Sequence, residues 1–244
     1  MSPNQSVYPL QPHPLKNLVA SLKPDPVYVE AEHYPSPAAR LADRWVHITG
    51  LAAGGVGGVV LLSLSLGVGR SGQTAAIAVY AASLMAMLAC SLAYNMSMPG
   101  RCDWLRRLDH AAIFLMIAGS YTPFTTQCLT GGWAVGMTVA VWTLALVGAA
   151  LKLFFPDLGR GLWVALYLGL GWIAVIALKP LLAGVSLLAL SLLVAGGVVY
   201  SLGVIVYARH ALKFRRAIWH GFVVAAAATQ YVAILLGVVL APSR

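Results

Sequence analysis

The sequence predicts an all-α membrane protein of seven transmembrane helices, with the N-terminus in the cytoplasm and the C-terminus outside. Composition, run length and the placement of positive charge predict it. Of 244 residues, 60% are hydrophobic and only 9% charged, against about 25% charged in an ordinary soluble domain. The apolar residues gather into uncharged runs of about 20, the length that crosses a bilayer as a helix. A chain this short cannot hide several such runs in one water-soluble core. The apolar–polar alternation of a membrane barrel is absent, and backbone in lipid is otherwise helical.

Residues 1–45 read as a disordered, proline-rich cytoplasmic tail. They hold eight of the 13 prolines (Pro3, Pro9, Pro12, Pro14, Pro24, Pro26, Pro35 and Pro37) and too little apolar surface to order themselves. The segment is also too long, acidic and proline-broken for a signal leader, so the first span is expected to persist. Residues 46–241 form the transmembrane domain. Its spans fall near Val46–Gly69, Thr74–Met98, Leu108–Leu129, Trp133–Phe155, Leu162–Leu178, Leu181–Ala208 and Ile218–Ala241. The division between the fifth and sixth rests on Lys179-Pro180, because proline removes a backbone donor and clashes with the preceding turn. Trp45, Trp104, Trp133 and Trp219 read as anchors at headgroup level.

The chain carries 16 Lys and Arg against seven Asp and Glu. These bases lie between apolar runs, so they read as topology signals and no nucleic-acid partner is expected. On the N-terminal side of the alternating spans lie Lys16, Lys23, Arg40, Arg44, Arg101, Arg106, Arg107, Lys152, Arg160, Arg209, Lys213, Arg215 and Arg216; on the other lie only Arg70, Lys179 and Arg244. Positive charge stays inside, which gives the orientation above and a multi-pass protein of the plasma membrane, in a bacterium the inner membrane. G-protein-coupled receptors run the opposite way, and a retinal pump needs a lysine in its last helix, where Ile218–Ala241 has none. Cys90, Cys102 and Cys128 are odd in number and lack CxxC spacing, which argues against a disulfide framework or zinc knuckle.

Each strongly polar side chain within a span is a candidate site residue, because burying it in lipid is costly. The candidates are His47 at the start of helix 1, Ser91 and Asn95 near the end of helix 2, Asp109 and His110 at the start of helix 3, and Arg216 and His220 at the entry to helix 7. Alternating spans place all of them at the cytoplasmic end. Ser91/Asn95 and Arg216/His220 are spaced i,i+4 and share a helix face, so four helices aim polar groups into one inner-leaflet pocket. Gln230 lies about 15 Å further along the axis from His220. Ser120 and Thr122 flank Pro123, where hydroxyls are expected to re-satisfy the carbonyl that proline frees. The pairs Gly54-Gly55, Gly57-Gly58 and Gly196-Gly197 are expected to let helices approach closely.

These residues also form a recognisable set: His47-Ile-Thr-Gly50, Ser91-Leu-Ala-Tyr-Asn95, the helix 3 stretch from Leu108-Asp-His to Gly-Ser-Tyr-Thr-Pro123, and Arg216-Ala-Ile-Trp-His220 with Phe222-Val223. Over about residues 40 to 241 the chain resembles the hemolysin III family, within the progestin and adipoQ receptor superfamily of seven-helix membrane proteins. The resemblance implies an N-terminus-inside topology. It also implies a zinc ion held by three histidines, one from S-x-x-x-H in helix 2 and two from H-x-x-x-H in helix 7, with an aspartate of helix 3 nearby. Such a centre leaves a coordination position for water, whose pKa the metal lowers to about 7. Related membrane hydrolases act on lipid amides such as ceramide.

The chain departs from that pattern at the ligands. Asn95 stands at the helix 2 histidine, Arg216 at the first helix 7 histidine and Gln230 at a further family histidine; only His220 and Asp109 match. A neutral amide is a poor zinc ligand, and a guanidinium has no lone pair to give. One reading puts an Asp109–Arg216 ion pair where the metal stood, ringed by Asn95 and His220; the other lets Arg216 snorkel to the headgroups beside Lys213 and Arg215. A substitute metal set of His47, His110, His220 and Asp109 reaches one depth, although adjacent Asp109 and His110 point about 100° apart. His47 alone reads as a hydrogen-bonded interfacial histidine. Two functions follow. In the first, a non-catalytic protein of membrane-lipid homeostasis or permeabilisation binds or senses lipid in a pocket of His47, Asn95, His110 and Arg216, with no metal. In the second, a zinc-dependent lipid amide hydrolase uses His220 as ligand and Asp109, His220 and Ser91 as catalytic groups. Membrane lipids are the expected partners of either.

Overall fold

A computed structural model describes residues 34–97, 102–209 and 211–242. The proline-rich segment up to residue 33 lies outside the described residues. Eight α-helices follow in order: α1 Pro37–Val68, α2 Gln73–Met96, α3 Cys102–Gln127, α4 Gly131–Phe154, α5 Arg160–Gly171, α6 Leu178–Gly184, α7 Leu187–Ala208 and α8 Arg215–Ile234. A 3₁₀ segment, Ile173–Ala177, joins α5 to α6, and a π-helical turn, Leu235–Val239, extends α8. No strand occurs among the described residues.

The first helix starts at Pro37 and not at Val46, so residues 37–45, expected in the tail, are helical. Two local signals set this start. Ser36 accepts from the backbone N–H of Ala39 at 3.2 Å, and Pro37 sits in the first turn, where its missing donor costs nothing. At the other end Gly69, at φ 69°, closes the helix in the left-handed conformation that glycine adopts freely.

A second correction concerns Lys179-Pro180. The membrane-length stretch does not end there: Arg160–Gly184 continues past it as α5, the 3₁₀ segment and α6 over 25 residues. Pro180 falls in the first turn of α6, where an amide has no helical acceptor to lose. The division comes at Val185-Ser186, with Ser186 Oγ accepting from the N–H of Ala189 to start α7.

Among the described residues, six stretches are long and apolar enough to cross a membrane: Pro37–Val68, Gln73–Met96, Gly131–Phe154, Arg160–Gly184, Leu187–Ala208 and Arg215–Val239. Helix α3, the expected third span, is long enough at 26 residues but carries Asp103, Arg106, Arg107 and Asp109 near its start and Ser, Thr and Gln near its end. It tolerates that load because neighbours cover it. Ala111, Ala112, Phe114, Met116, Ala118 and Phe124 are all buried, and α3 packs along both α2 and α4.

The packing runs α1–α2–α3–α4 in sequence, α5 bridges α3 and α4 to α7, and α7 lies on α8. Helix α8 then returns to α1, which closes the bundle and places α1 between α2 and α8. Glycine allows the closest approaches: a methyl on Gly50 would stand 2.8 Å from Val224 of α8. Leu, Val, Ile and Phe side chains cover the outside, Val56, Leu66, Phe154 and Leu187 among them, while Asp43, His47, Asn95 and His220 are buried. That polarity suits lipid as the surrounding solvent.

Near Pro123 the hydroxyls bond within the helix, but not to the carbonyl that proline frees. Ser120 donates to Met116 O at 2.9 Å and Thr122 to Ala118 O at 2.8 Å. Each hydroxyl has one proton, so neither serves Gly119 O. Thr122 Oγ1 also accepts from Trp142 Nε1 at 3.1 Å, which ties α4 to the proline region.

Candidate metal centre

Helix α1 supplies the first two groups of the site. Asp43 and His47 are four residues apart, hence on one face, and the packing turns that face inward: Asp43 has 0% exposure and His47 3%. His47 is therefore buried within the bundle and hydrogen-bonded through both ring nitrogens. Helix α8 brings in His220, also buried. Its Nδ1 donates to Asp43 Oδ1 at 2.6 Å, and its ring meets that of His47 edge-on, centroids 4.2 Å apart.

The acceptors decide where the imidazole protons sit. His47 Nδ1 is 2.8 Å from the backbone carbonyl of Asp43 and 3.6 Å from its Oδ2. A carbonyl only accepts, so Nδ1 carries the proton and Nε2 presents a lone pair. That Nε2 is 3.2 Å from Ser91 Oγ, whose hydroxyl donates to it. The same reasoning at His220 puts its proton on Nδ1, facing the carboxylate, and leaves a lone pair on Nε2. Asp43 thus orients both rings, one by its main chain and one by its side chain, the role that carboxylates and carbonyls take behind metal-binding histidines.

Helix α2 completes the surroundings. Asn95 Nδ2 donates to Ser91 O at 2.9 Å and is 3.4 Å from Ser91 Oγ. Arg216 Nη1 donates to Asn95 Oδ1 at 2.9 Å. A hydrogen-bonded path therefore runs from Arg216 through Asn95 and Ser91 to His47 and Asp43, and back to His220. The expected grouping of Ser91, Asn95, Arg216, His220 and His47 is what the helices assemble.

Two expected members stand elsewhere. Asp109 is half-buried on α3 and forms no ion pair with Arg216; the pairs among the described residues are His47–Asp43, Arg106–Asp103 and His220–Asp43. Its charge is close enough to interact with His47. His110 Nδ1 donates to Arg106 O, its ring faces Tyr94 with centroids 6.4 Å apart, and its carbonyl accepts from Tyr167. The α3 pair thus leaves the centre to another carboxylate, Asp43, which the sequence reading assigned to the tail. A signal for it existed: Asp43-x-x-x-His47 repeats the i,i+4 spacing used to group Ser91 with Asn95. It was hidden because the helix was started at Val46.

The ligand set implied by the resemblance does not fit a metal, since Asn95 Oδ1 is taken by a guanidinium and Arg216 cannot ligate. A different set does fit. Asp43, His47 and His220 each offer one ligand atom, all within 4.8 Å of one another, and all three residues are buried. Two imidazoles and a carboxylate are a donor set that zinc uses, with further positions open. Of the seven expected site residues, His47 and His220 could hold the ion directly, and Ser91, Asn95 and Arg216 surround them.

The family model described as haemolysin-III related matches residues 41–231 of the chain. Among curated proteins, the chain is 34% identical over 185 residues to the hemolysin-3 homolog of Bacillus subtilis (strain 168), covering 75% of this chain and 87% of that one. It is 35% identical over 170 residues to hemolysin-3 of Bacillus cereus, covering 68% and 77%. More distantly, it is 30% identical over 129 residues to the human (Homo sapiens) monocyte to macrophage differentiation factor, covering 52% of each.

Proposed function

The chain belongs to the haemolysin-III-related family of membrane proteins, and from that premise we propose that it is a metal-dependent intramembrane lipid hydrolase whose ligands have moved to Asp43, His47 and His220. The observation that carries the proposal is the meeting of those three ligand atoms, from two helices, within 4.8 Å of one another in a buried site. We further assign seven spans, α3 included, with the N-terminus in the cytoplasm of the plasma membrane and the C-terminus outside. The charge distribution supports that orientation.

In this reading His47 and His220 would hold the ion through imidazole nitrogen and Asp43 through a carboxylate oxygen. A zinc ion held there would supply Lewis acidity and a water acidified to a pKa of about 7, the chemistry that amide or ester hydrolysis needs. The chain's own residues do the rest. Asp43 fixes the rings, Ser91 and Asn95 border the site with a hydroxyl and an amide, and Asp109 handles protons from the half-buried side near His47. Arg216 sets the position of Asn95. The substrate class is a membrane-lipid amide, because the centre sits among apolar helices and the family resemblance points to lipid.

A second reading, a non-catalytic lipid-binding or sensing protein, is favoured by one observation. The network closes without an ion: both imidazoles already donate to Asp43 and Ser91 already meets His47. Elemental analysis of the purified protein, wild type beside His220→Ala, together with hydrolysis of a ceramide-type amide, separates the readings. One zinc per chain that is lost in the variant, with turnover that follows the metal, supports the hydrolase. No bound metal in the wild type and no turnover would leave the sensing protein.

A further inference from the structure

We infer that the end of α4 carries a second binding site, for the phosphate of an anionic membrane lipid, formed by Arg107 of α3 and Lys152 of α4. Lys152 lies in the last turn of a membrane-length helix, yet its exposure is only 6%. Its Nζ donates to Pro156 O at 3.4 Å and stands 4.4 Å from the centre of the Trp163 ring. Arg107 donates from Nη1 to Leu153 O at 3.0 Å, and its Nε is buried without an acceptor. Two full cations from neighbouring helices therefore converge on one helix end.

The negative charge available there is too small. The free carbonyls of a helix C-terminus amount to about half a unit charge, against two positive charges. Neither cation belongs to an ion pair among the described residues. Asp103 on the same helix as Arg107 is 84% exposed and lies 3.4 Å from Arg106; Asp157 beyond the end of α4 is exposed, and its charge acts on Lys152 against that of Arg106, so the cations still outnumber the anions. An ammonium has three donors and a guanidinium five; one carbonyl meets each side chain, and Arg107 Nε is buried with no acceptor among the described residues. A buried cation with too little opposite charge around it is destabilising.

A lipid phosphodiester supplies both, as one negative charge carried on unsubstituted oxygens. The end of a membrane-length helix is also the depth at which lipid phosphates lie, and basic pockets between helices there take anionic headgroups. The flanking surface suits acyl chains: Trp104, Phe154, Phe155 and Leu158 are all exposed. None of these residues belongs to the Asp43–His47–His220 centre, so this inference stands apart from the hydrolase reading.

The test titrates the full-length protein in neutral detergent with phosphatidylglycerol, phosphatidylcholine or inorganic phosphate and follows the thermal midpoint. A saturable rise is expected with phosphatidylglycerol and with neither of the others. Arg107→Gln and Lys152→Gln are each expected to weaken half-saturation by about fivefold, the usual contribution of one basic residue at a membrane surface, while Lys152→Arg retains it. An equal rise with phosphatidylcholine, or with inorganic phosphate alone, would overturn the assignment. So would an unchanged response in Arg107→Gln, which is only half-buried and decides the matter if Lys152→Gln does not fold.

Discussion

Replacing Asp43 by Asn separates the Asp43 centre from one built on Asp109, because it removes a charge while keeping the side chain's shape. In the structure the carboxylate accepts from His220 Nδ1 at 2.6 Å and stands 3.6 Å from His47 Nδ1, with no exposure to solvent. The amide oxygen of Asn can still accept one hydrogen bond, but the charge-assisted part is lost. A hydrogen bond to a charged group is worth about 1.5–3 kcal/mol. At 1.4 kcal/mol per tenfold, loss of that bond alone should lower zinc affinity by about 10- to 100-fold, and exchanging a carboxylate ligand for a neutral amide adds to the loss. The backbone carbonyl of Asp43 still orients His47, so the site should weaken and not collapse. The assay is competition for zinc against a chromophoric chelator on purified protein, with the thermal midpoint measured beside it to show that the fold persists. Asp109→Asn is the control and should keep affinity within about threefold, since Asp109 lies outside the ligand group. Undiminished affinity in Asp43→Asn, or its loss only in Asp109→Asn, would refute the assignment of the carboxylate.

Arg216→Ala removes the 2.9 Å bond to Asn95 and should lower stability by about 1 kcal/mol, read as a lower denaturant midpoint; an unchanged midpoint would show that the contact contributes nothing. Gly119→Leu should be poorly tolerated, because even a β-carbon there would stand 2.5 Å from Ser83 Oγ and 3.5 Å from the backbone oxygen of Val79. Overpacking of this kind costs about 1–3 kcal/mol, so the thermal midpoint should fall while Gly132→Ala, which meets nothing within 4 Å, leaves it unchanged. Reporter fusions at residues 1 and 244 should report opposite sides of the membrane, the N-terminal one cytoplasmic; two reporters on the same side would remove α3, or another helix, from the count of spans.

The helices were legible because their signals are local. Run length, the absence of charge and the apolar surface need no knowledge of neighbours, and six of the expected spans are helices of membrane length and hydropathy. Two boundaries follow finer local signals. Polar and charged residues precede Val46, yet Ser36 and Pro37 carry the capping signal and start the helix earlier. Pro180 sits in the first turn of α6, where a proline breaks nothing.

Sequence by itself determined which polar groups gather at one end of the bundle. Helix order and spacing put His47, Ser91, Asn95, Arg216 and His220 at the same depth, and their hydrogen bonds join them there. It did not determine which carboxylate joins the histidines. Asp43 lies four residues before His47 and Asp109 directly before His110, each near the start of its helix, so composition alone does not choose between them. The choice depends on how each helix is rotated about its axis, and that is set by packing. Because α1 lies between α2 and α8, its Asp43–His47 face turns toward His220 and Ser91. Helix α3 packs along α2 and α4, which leaves Asp109 half-buried at the edge. A difference of one helix face, about 100° per residue, decides between a ligand and a neighbour, and only the tertiary structure contains it.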